Sequence, residues 1–206
     1  MGDKLTDYQK DALKELGNIG AGSAATALSQ MLGKDIGLDI PKVSIVDVTK
    51  IAEATGRKET IVAAVYLRIF GEIKARALIV FPQDRVLFLI DLLMKRNIGE
   101  TKEFGETEQS ALKEIGNIII SAYLNSISKF IGLNAVPSVP ALAVDMIESI
   151  FEAISAEMAE MGTEALLIEN EMSESVTKTK ADLILIPDKG AMEKIIKALD
   201  DAVKGA

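Results

Sequence analysis

The 206-residue chain contains no cysteine and no histidine. These two absences remove disulfides, structural zinc, thiolate nucleophiles, Ser-His-Asp triads and histidine-ligated metals together. Any chemistry must use carboxylates, amides, hydroxyls and lysines. Basic residues are also in deficit: 23 Lys and Arg stand against 31 Asp and Glu, a net charge of -8, and no basic cluster offers a track for a nucleic-acid backbone. The amino terminus has no apolar signal-peptide core, and cysteine-free composition fits a reducing cytosol. Its Met-Gly start formally matches a myristoylation pattern, which is set aside because Thr6 is better used as a helix cap. A charge-free stretch, residues 16–33, approaches a membrane span in length. It contains Asn18, Ser23, Thr26, Ser29, Gln30 and four glycines, so a buried helix accounts for it better.

What the chain does have is 49% hydrophobic residues, a positive mean hydropathy of +0.24, and an internal repeat. This is a globular composition. Asp11-Ala-Leu-Lys-Glu-Leu-Gly-Asn-Ile19 returns as Ser110-Ala-Leu-Lys-Glu-Ile-Gly-Asn-Ile118, a displacement of 99 residues, and Gly33 and Pro41 recur as Gly132 and Pro140. A later apolar segment ending at Pro82 matches one ending at Pro187 at a displacement of 105. The extra six residues are assigned to an added amphipathic helix over 146–161. Each half reads as helix, strand, hairpin, helix, with strands at 43–48, 61–69 and 73–81, then 141–145, 165–171 and 180–186. Closing helices fall at 86–94 and 192–203. The expected fold is α+β, with an antiparallel sheet and pseudo-twofold symmetry, as one domain over 1–206 made of repeats at about 1–100 and 101–206. The first 100 residues carry net +1 and the remainder -9.

Thr6 with Gln9 has the spacing of a capping box, and Thr107 with Glu108 is read as a similar helix start. At 100° per residue, Asp11, Glu15, Asn18 and Gly22 share a stripe roughly 60° wide. Leu13, Leu16, Gly20, Ala24, Ala27 and Met31 gather on the other side. Ser110, Glu114, Asn117 and Ser121 repeat the polar stripe in the second helix. Burial explains the apolar positions, but it does not require an acid and an amide to recur on the opposite face. A single Glu-x-x-Asn on a helix is ordinarily a solvated surface. Two copies in matched register, each followed 23 residues later by proline, favour a functional face, although duplication alone preserves some likeness. Gly22 and Ser121 would let a partner surface approach, whereas Gly17 and Gly116 suit packing, and Pro41 and Pro140 suit strand entry. The glycines at 17–22 lack the spacing and preceding strand of a dinucleotide site. Asp200, Asp201, Glu148, Glu152, Glu157 and Glu160 read as solvent faces rather than metal ligands.

The doubled Asp/Ser-x-x-x-Glu-x-x-Asn pattern with its downstream proline resembles the CheC branch of the CheC/CheX/FliY family of chemotaxis phosphatases, over essentially the whole chain. The resemblance implies a phosphatase acting on the phosphorylated response regulator CheY, with a further role in binding the receptor deamidase CheD. It implies that Glu15 and Glu114 pair with the regulator's active-site lysine and that Asn18 and Asn117 orient the attacking water. Asp11, Gly22, Ser110 and Ser121 would contact the regulator. No metal or cofactor of the chain's own is expected, magnesium belonging to the regulator. No nucleic acid or membrane insertion is expected; a cytoplasmic location is expected from the missing cysteines and signal-peptide core, and a monomer from the internal pseudo-symmetry. The chain ends soon after the second repeat, so the CheC branch is expected rather than FliY. A non-catalytic adaptor regulating CheD is the alternative.

Such chemistry is open to this composition. An aspartyl phosphate is already an activated acyl phosphate, and its hydrolysis needs an in-line water and neutralised phosphoryl oxygens more than a strong base. An amide can hold the water.

Overall fold

A computed structural model of the chain describes residues 6–155, 162–174 and 177–204. Helix α1 (Asp7–Leu32) is followed by strand β1 (Ile36–Asp47), a 3-10 turn (Val48–Lys50) and the short α2 (Ile51–Ala54). Strands β2 (Ile61–Gly71) and β3 (Ala75–Pro82) form a hairpin, and α3 (Gln83–Leu93) closes the first repeat. The second repeat runs α4 (Glu106–Ile131), β4 (Ala135–Pro137), β5 (Ala141–Met146), α5 (Ile147–Ser155), β6 (Glu164–Glu174), β7 (Thr177–Lys180), β8 (Asp182–Pro187) and α6 (Ala191–Lys204).

Both long helices are 26 residues and start and stop 99 residues apart. Each ends on a left-handed glycine, Gly33 at φ 67° and Gly132 at φ 68°, a conformation that glycine adopts without a Cβ penalty. Their starts differ. Thr6 and Gln9 form the expected capping box. In α4 the matching cap position is Gly105, with no side-chain cap, so Thr107 is an exposed first-turn residue and not the cap. Glu108 turns instead to Arg96, its Oε1 accepting from the guanidinium at 2.7 Å.

All the strand pairs are antiparallel, in the order β1-β6-β8-β3-β2-β4, with β5 also pairing β2 and β7 also pairing β6. The two repeats exchange strands. β1 of the first pairs along β6 of the second (Val43 opposite Ile168), while β5 of the second pairs along β2 of the first (Val65 opposite Leu142). β3 and β8 meet at the pseudo-dyad, Ala77 opposite Leu185. Buried Arg76 on β3 reaches Asp188 just beyond β8 at 2.7 Å, and Arg57 grips Asp182 through two nitrogens at 3.0 and 2.6 Å. Burial pushes the Asp182 carboxyl above its ordinary range, and Arg57 opposes that shift.

Alternation along the strands sends two sets of side chains to opposite faces. Ala63, Val65, Leu67 and Ile69 join the core beneath α1, α3, α4 and α6. Val62, Ala64, Leu78 and Val80 pack against Val48, Ile51, Ile147, Ile150 and Phe151. The helix assigned to 146–161 is therefore α5, which packs on the same face as the turn at Val48 and the start of α2, and is an enlargement of that connection rather than a new element; residues 156–161, with Glu157 and Glu160, lie outside the described set. Pro140 precedes β5 as expected. Pro41 lies inside β1, at the register break between Asp39 and Lys42, where a residue without an N–H does not interrupt the ladder.

On α1 the buried line drifts from Leu13 and Leu16 to Leu28 and Leu32, which leaves Met31 at the rim, 39% exposed, and Ala27 half-buried. Gly17, Gly20 and Gly116 are close approaches. A Cβ would fall 2.9 Å from Ile40 at Gly17, 2.6 Å from the Tyr123 ring at Gly20, and 2.5 Å from Val65 at Gly116. Gly22 has open space around it. Gly116→Ala should therefore destabilise the fold by about 1–3 kcal/mol in denaturant titration, as overpacking does. Gly22→Ala should leave stability unchanged or raise it by up to about 1 kcal/mol through helix propensity.

Candidate functional site

The sheet carries α1 and α4 side by side on one face, where Gly20 of α1 receives Tyr123 of α4. The Tyr123 hydroxyl donates to Asn170 Oδ1 on β6, and Asn170 Nδ2 donates to the Ile168 carbonyl, so one buried network locks the helix pair to the sheet. Burial pushes the Tyr123 hydroxyl pKa up. It stays neutral and hydrogen-bonded.

Asn18 and Gly22 each lie two residues from Gly20, about 200° around the helix. The α1 stripe thus faces away from α4. Asp11, Glu15, Asn18 and Gly22 are all exposed. On α4, Ser110 and Glu114 are exposed while Asn117 and Ser121 are half-buried. Within each helix the acid and the amide are three residues apart and so occupy neighbouring turns of one face. The structure thereby gathers each set of four on its own helix, the α1 set facing away from α4 and the α4 set reaching the groove between the helices at Ser121. The Ser121 hydroxyl donates to Asn117 Oδ1 at 3.4 Å, a contact for which glycine at position 22 has no equivalent.

Between the helices runs a groove of about 810 Å³, walled in matched positions by Ile19 and Ile118, Ser23 and Ala122, and Ala27 and Ser126. The sequence reading missed it. Its signal was the pair of isoleucines directly after each asparagine, and Ile19 is 47% exposed.

The approach to α4 is held by a polar lock in the connector that follows α3. Buried Asp91 accepts from the backbone of Gly99 at 2.6 Å and of Thr101 at 2.8 Å. Burial alone would raise its pKa, but the hydrogen bonds from Thr101 and Gly99 outweigh it and hold the carboxyl below the ordinary range. Arg96 lowers that of Glu108, principally through their hydrogen bond, and bridges it to Thr101. Among the described residues no group of three or more Asp or Glu side chains converges as a metal site, and no helix is long and apolar enough to cross a membrane.

Fold and geometry define a class: a duplicated α+β protein with strand exchange, presenting two acid–amide stripes on two copies of one helix. The CheC-like family model matches the chain twice, at residues 9–45 and 108–144. It is 27% identical to the CheY-P phosphatase CheC of Bacillus subtilis (strain 168) over 95% of each chain. It is 29% identical to the flagellar motor switch phosphatase FliY of the same organism over 61% of this chain and 33% of that one. The Thermotoga maritima FliY crystal structure superposes with a TM-score of 0.78 over 97% of this chain and 99% of that chain, at 23% identity. The CheX of a Borrelia burgdorferi CheX–CheY–BeF3–Mg complex shares the fold at a TM-score of 0.53 and 16% identity, over 85% of this chain and 97% of that one.

Because the Asp91 and Glu108 carboxyls are depressed in the folded state, they add stability above their unfolded values, near pH 4, and that contribution is lost as pH falls through the lower folded values. Acid titration followed by circular dichroism should show Asp91→Asn and Glu108→Gln losing stability at neutral pH while declining less steeply than the parent below about pH 4. An unchanged acid limb in both variants would contradict the lock.

Proposed function

We propose that the chain is a phosphoaspartate phosphatase acting on a CheY-type response regulator in the cytoplasm, as one domain of two repeats, monomeric because duplication already supplies the paired helices. The observation that carries this reading is the repetition of an exposed acid and an amide one turn apart on two helices of equal length and register. The names of the B. subtilis relatives support the substrate, and the CheX complex supports a regulator that brings its own magnesium.

In this reading Glu15 or Glu114 pairs with the lysine of the regulator's active site and sets the register of docking. Asn18 or Asn117 then enters beside the phosphoryl group, where its Oδ1 accepts a hydrogen from a water and its Nδ2 remains a donor. The water oxygen attacks phosphorus in line. The bond from phosphorus to the aspartyl oxygen breaks, the carboxylate leaves with the electron pair, and the water's proton passes to the phosphate or solvent. Magnesium and lysine of the regulator neutralise the phosphoryl oxygens, so the amide need only orient. Asp11, Gly22, Ser110 and Ser121 extend the contact along each stripe, and the glycine at 22 leaves room for another backbone.

The joint Asn18→Ala and Asn117→Ala variant should lose hydrolysis on the order of 10²-fold or more while still binding regulator, since it removes a preorganised polar group from each site. Each single variant should lose only part. Glu15→Ala with Glu114→Ala should also weaken association, by about 10-fold or more. Parent-rate hydrolysis by the double Asn variant would overturn the catalytic assignment of the asparagines, and a parent rate no faster than the regulator's own loss of phosphate would replace the enzyme with an adaptor that regulates CheD through the same fold. CheD itself is assigned to a surface away from the stripes, so the double Glu variant should bind it as the parent does; loss of that binding would place CheD on the stripes. Magnesium titration of the isolated chain should produce no heat, and a stoichiometric site required for activity would overturn the division of labour with the regulator.

A further inference from the structure

The two stripes differ where their roles coincide. Glu15 and Glu114 are both exposed, so the docking acids are equally presented. The amides are not. Asn18 stands exposed on α1, with Ile19 beside it exposed, whereas Asn117 and Ile118 are half-buried. One turn further on, Gly22 presents bare backbone with nothing within 4 Å of where a Cβ would stand, while Ser121 donates its hydroxyl to Asn117 Oδ1 at 3.4 Å.

Resting on the phosphatase reading above, we propose that the sites are unequal: Asn18 carries most of the turnover, and Ser121 is a positioning residue that draws Asn117 back against its own helix. The amide oxygen is the atom that must accept a hydrogen from the attacking water. It has two acceptor positions, and Ser121 occupies one and biases the side chain along the helix instead of outward. Docking at the second stripe must break or bend this bond before the water is held, whereas docking at the first displaces only solvent. Ser121 also adds a hydroxymethyl group where Gly22 adds none, which keeps the regulator's backbone farther from α4. A long hydrogen bond of this kind is worth about a 3- to 10-fold change in an equilibrium, and a difference of that size is expected between the two sites.

Steady-state dephosphorylation of magnesium-loaded phosphorylated regulator by the full chain tests this. Asn117→Ala, which leaves the first stripe, should retain a kcat about 3- to 10-fold above that of Asn18→Ala, which leaves the second. In the Asn18→Ala background, Ser121→Ala removes the hydroxyl and keeps the Cβ, and kcat should rise by a similar factor, separately from any change in KM that the altered contact brings. Gly22→Ser in the Asn117→Ala background should lower kcat. Thermal melts establish that each variant is folded, and Ser121→Gly substitutes for Ser121→Ala should that variant melt early. Equal or reversed kcat values for the two single Asn variants, or no kcat response to removal of the Ser121 hydroxyl, would overturn the inequality. Dephosphorylation no faster with the parent chain than by the regulator alone would instead overturn the underlying phosphatase reading, so the two failures are distinguishable.

Discussion

Strand β1 of the first repeat and strands β4 and β5 of the second find their hydrogen-bond partners in the hairpin of the other repeat, β1 along β6 and β4 and β5 along β2. Neither repeat can complete its sheet alone, and β3 and β8 close the structure at their shared seam. The consequence for the surface is direct. Each long helix precedes an exchanged strand, so both are carried to the same face of one sheet, and their cores merge with it. Gly20 then lets Tyr123 enter the interface, and the tyrosine's hydroxyl is satisfied by Asn170 on an exchanged pair. With those rotations set, the Glu/Asn stripes have nowhere to turn but outward.

A chain without histidine or cysteine is well matched to a substrate that is already activated. In the proposed reading the acid–amide stripe suits such work, because it would supply orientation and docking charge and leave the metal and the cation to the substrate protein. The same economy explains how two copies can sit on open helix surfaces with no enclosed pocket: regulator and helix together would form the cavity. The groove between the helices, with Ile19, Ile118 and Phe130 among its walls, borders the second stripe through Ser121.

Local features were legible in the residues alone. Matched helices, the Thr6 capping box, alternating strands and the packing role of Gly17 and Gly116 follow from periodicity, side-chain chemistry and the absence of a Cβ. The candidate site was legible as a pattern because duplication displayed it twice. Strand exchange was not, since partner choice in an antiparallel sheet depends on contacts far away in the chain, and the short β4 and β7 carry too few residues to show alternation. Thr107 misled because its hydroxyl is good capping chemistry placed two residues inside a helix already begun at Gly105. Met31 misled because the buried line on α1 rotates along the helix, which a fixed 100° step does not capture. The half-burial of Asn117 could not be read from an exact Glu-x-x-Asn repeat, since exposure depends on what packs around each helix and not on the repeated residues alone.

The most direct measurement is a structure of the chain in complex with a CheY-type regulator carrying beryllofluoride and magnesium as the phosphoryl mimic. The account predicts α1 or α4 seated in the regulator's active site, Glu15 or Glu114 against its lysine, and the Asn18 or Asn117 amide within hydrogen-bond distance of a water in line with the beryllium. A complex in which the regulator docks elsewhere and leaves both stripes in solvent would contradict it.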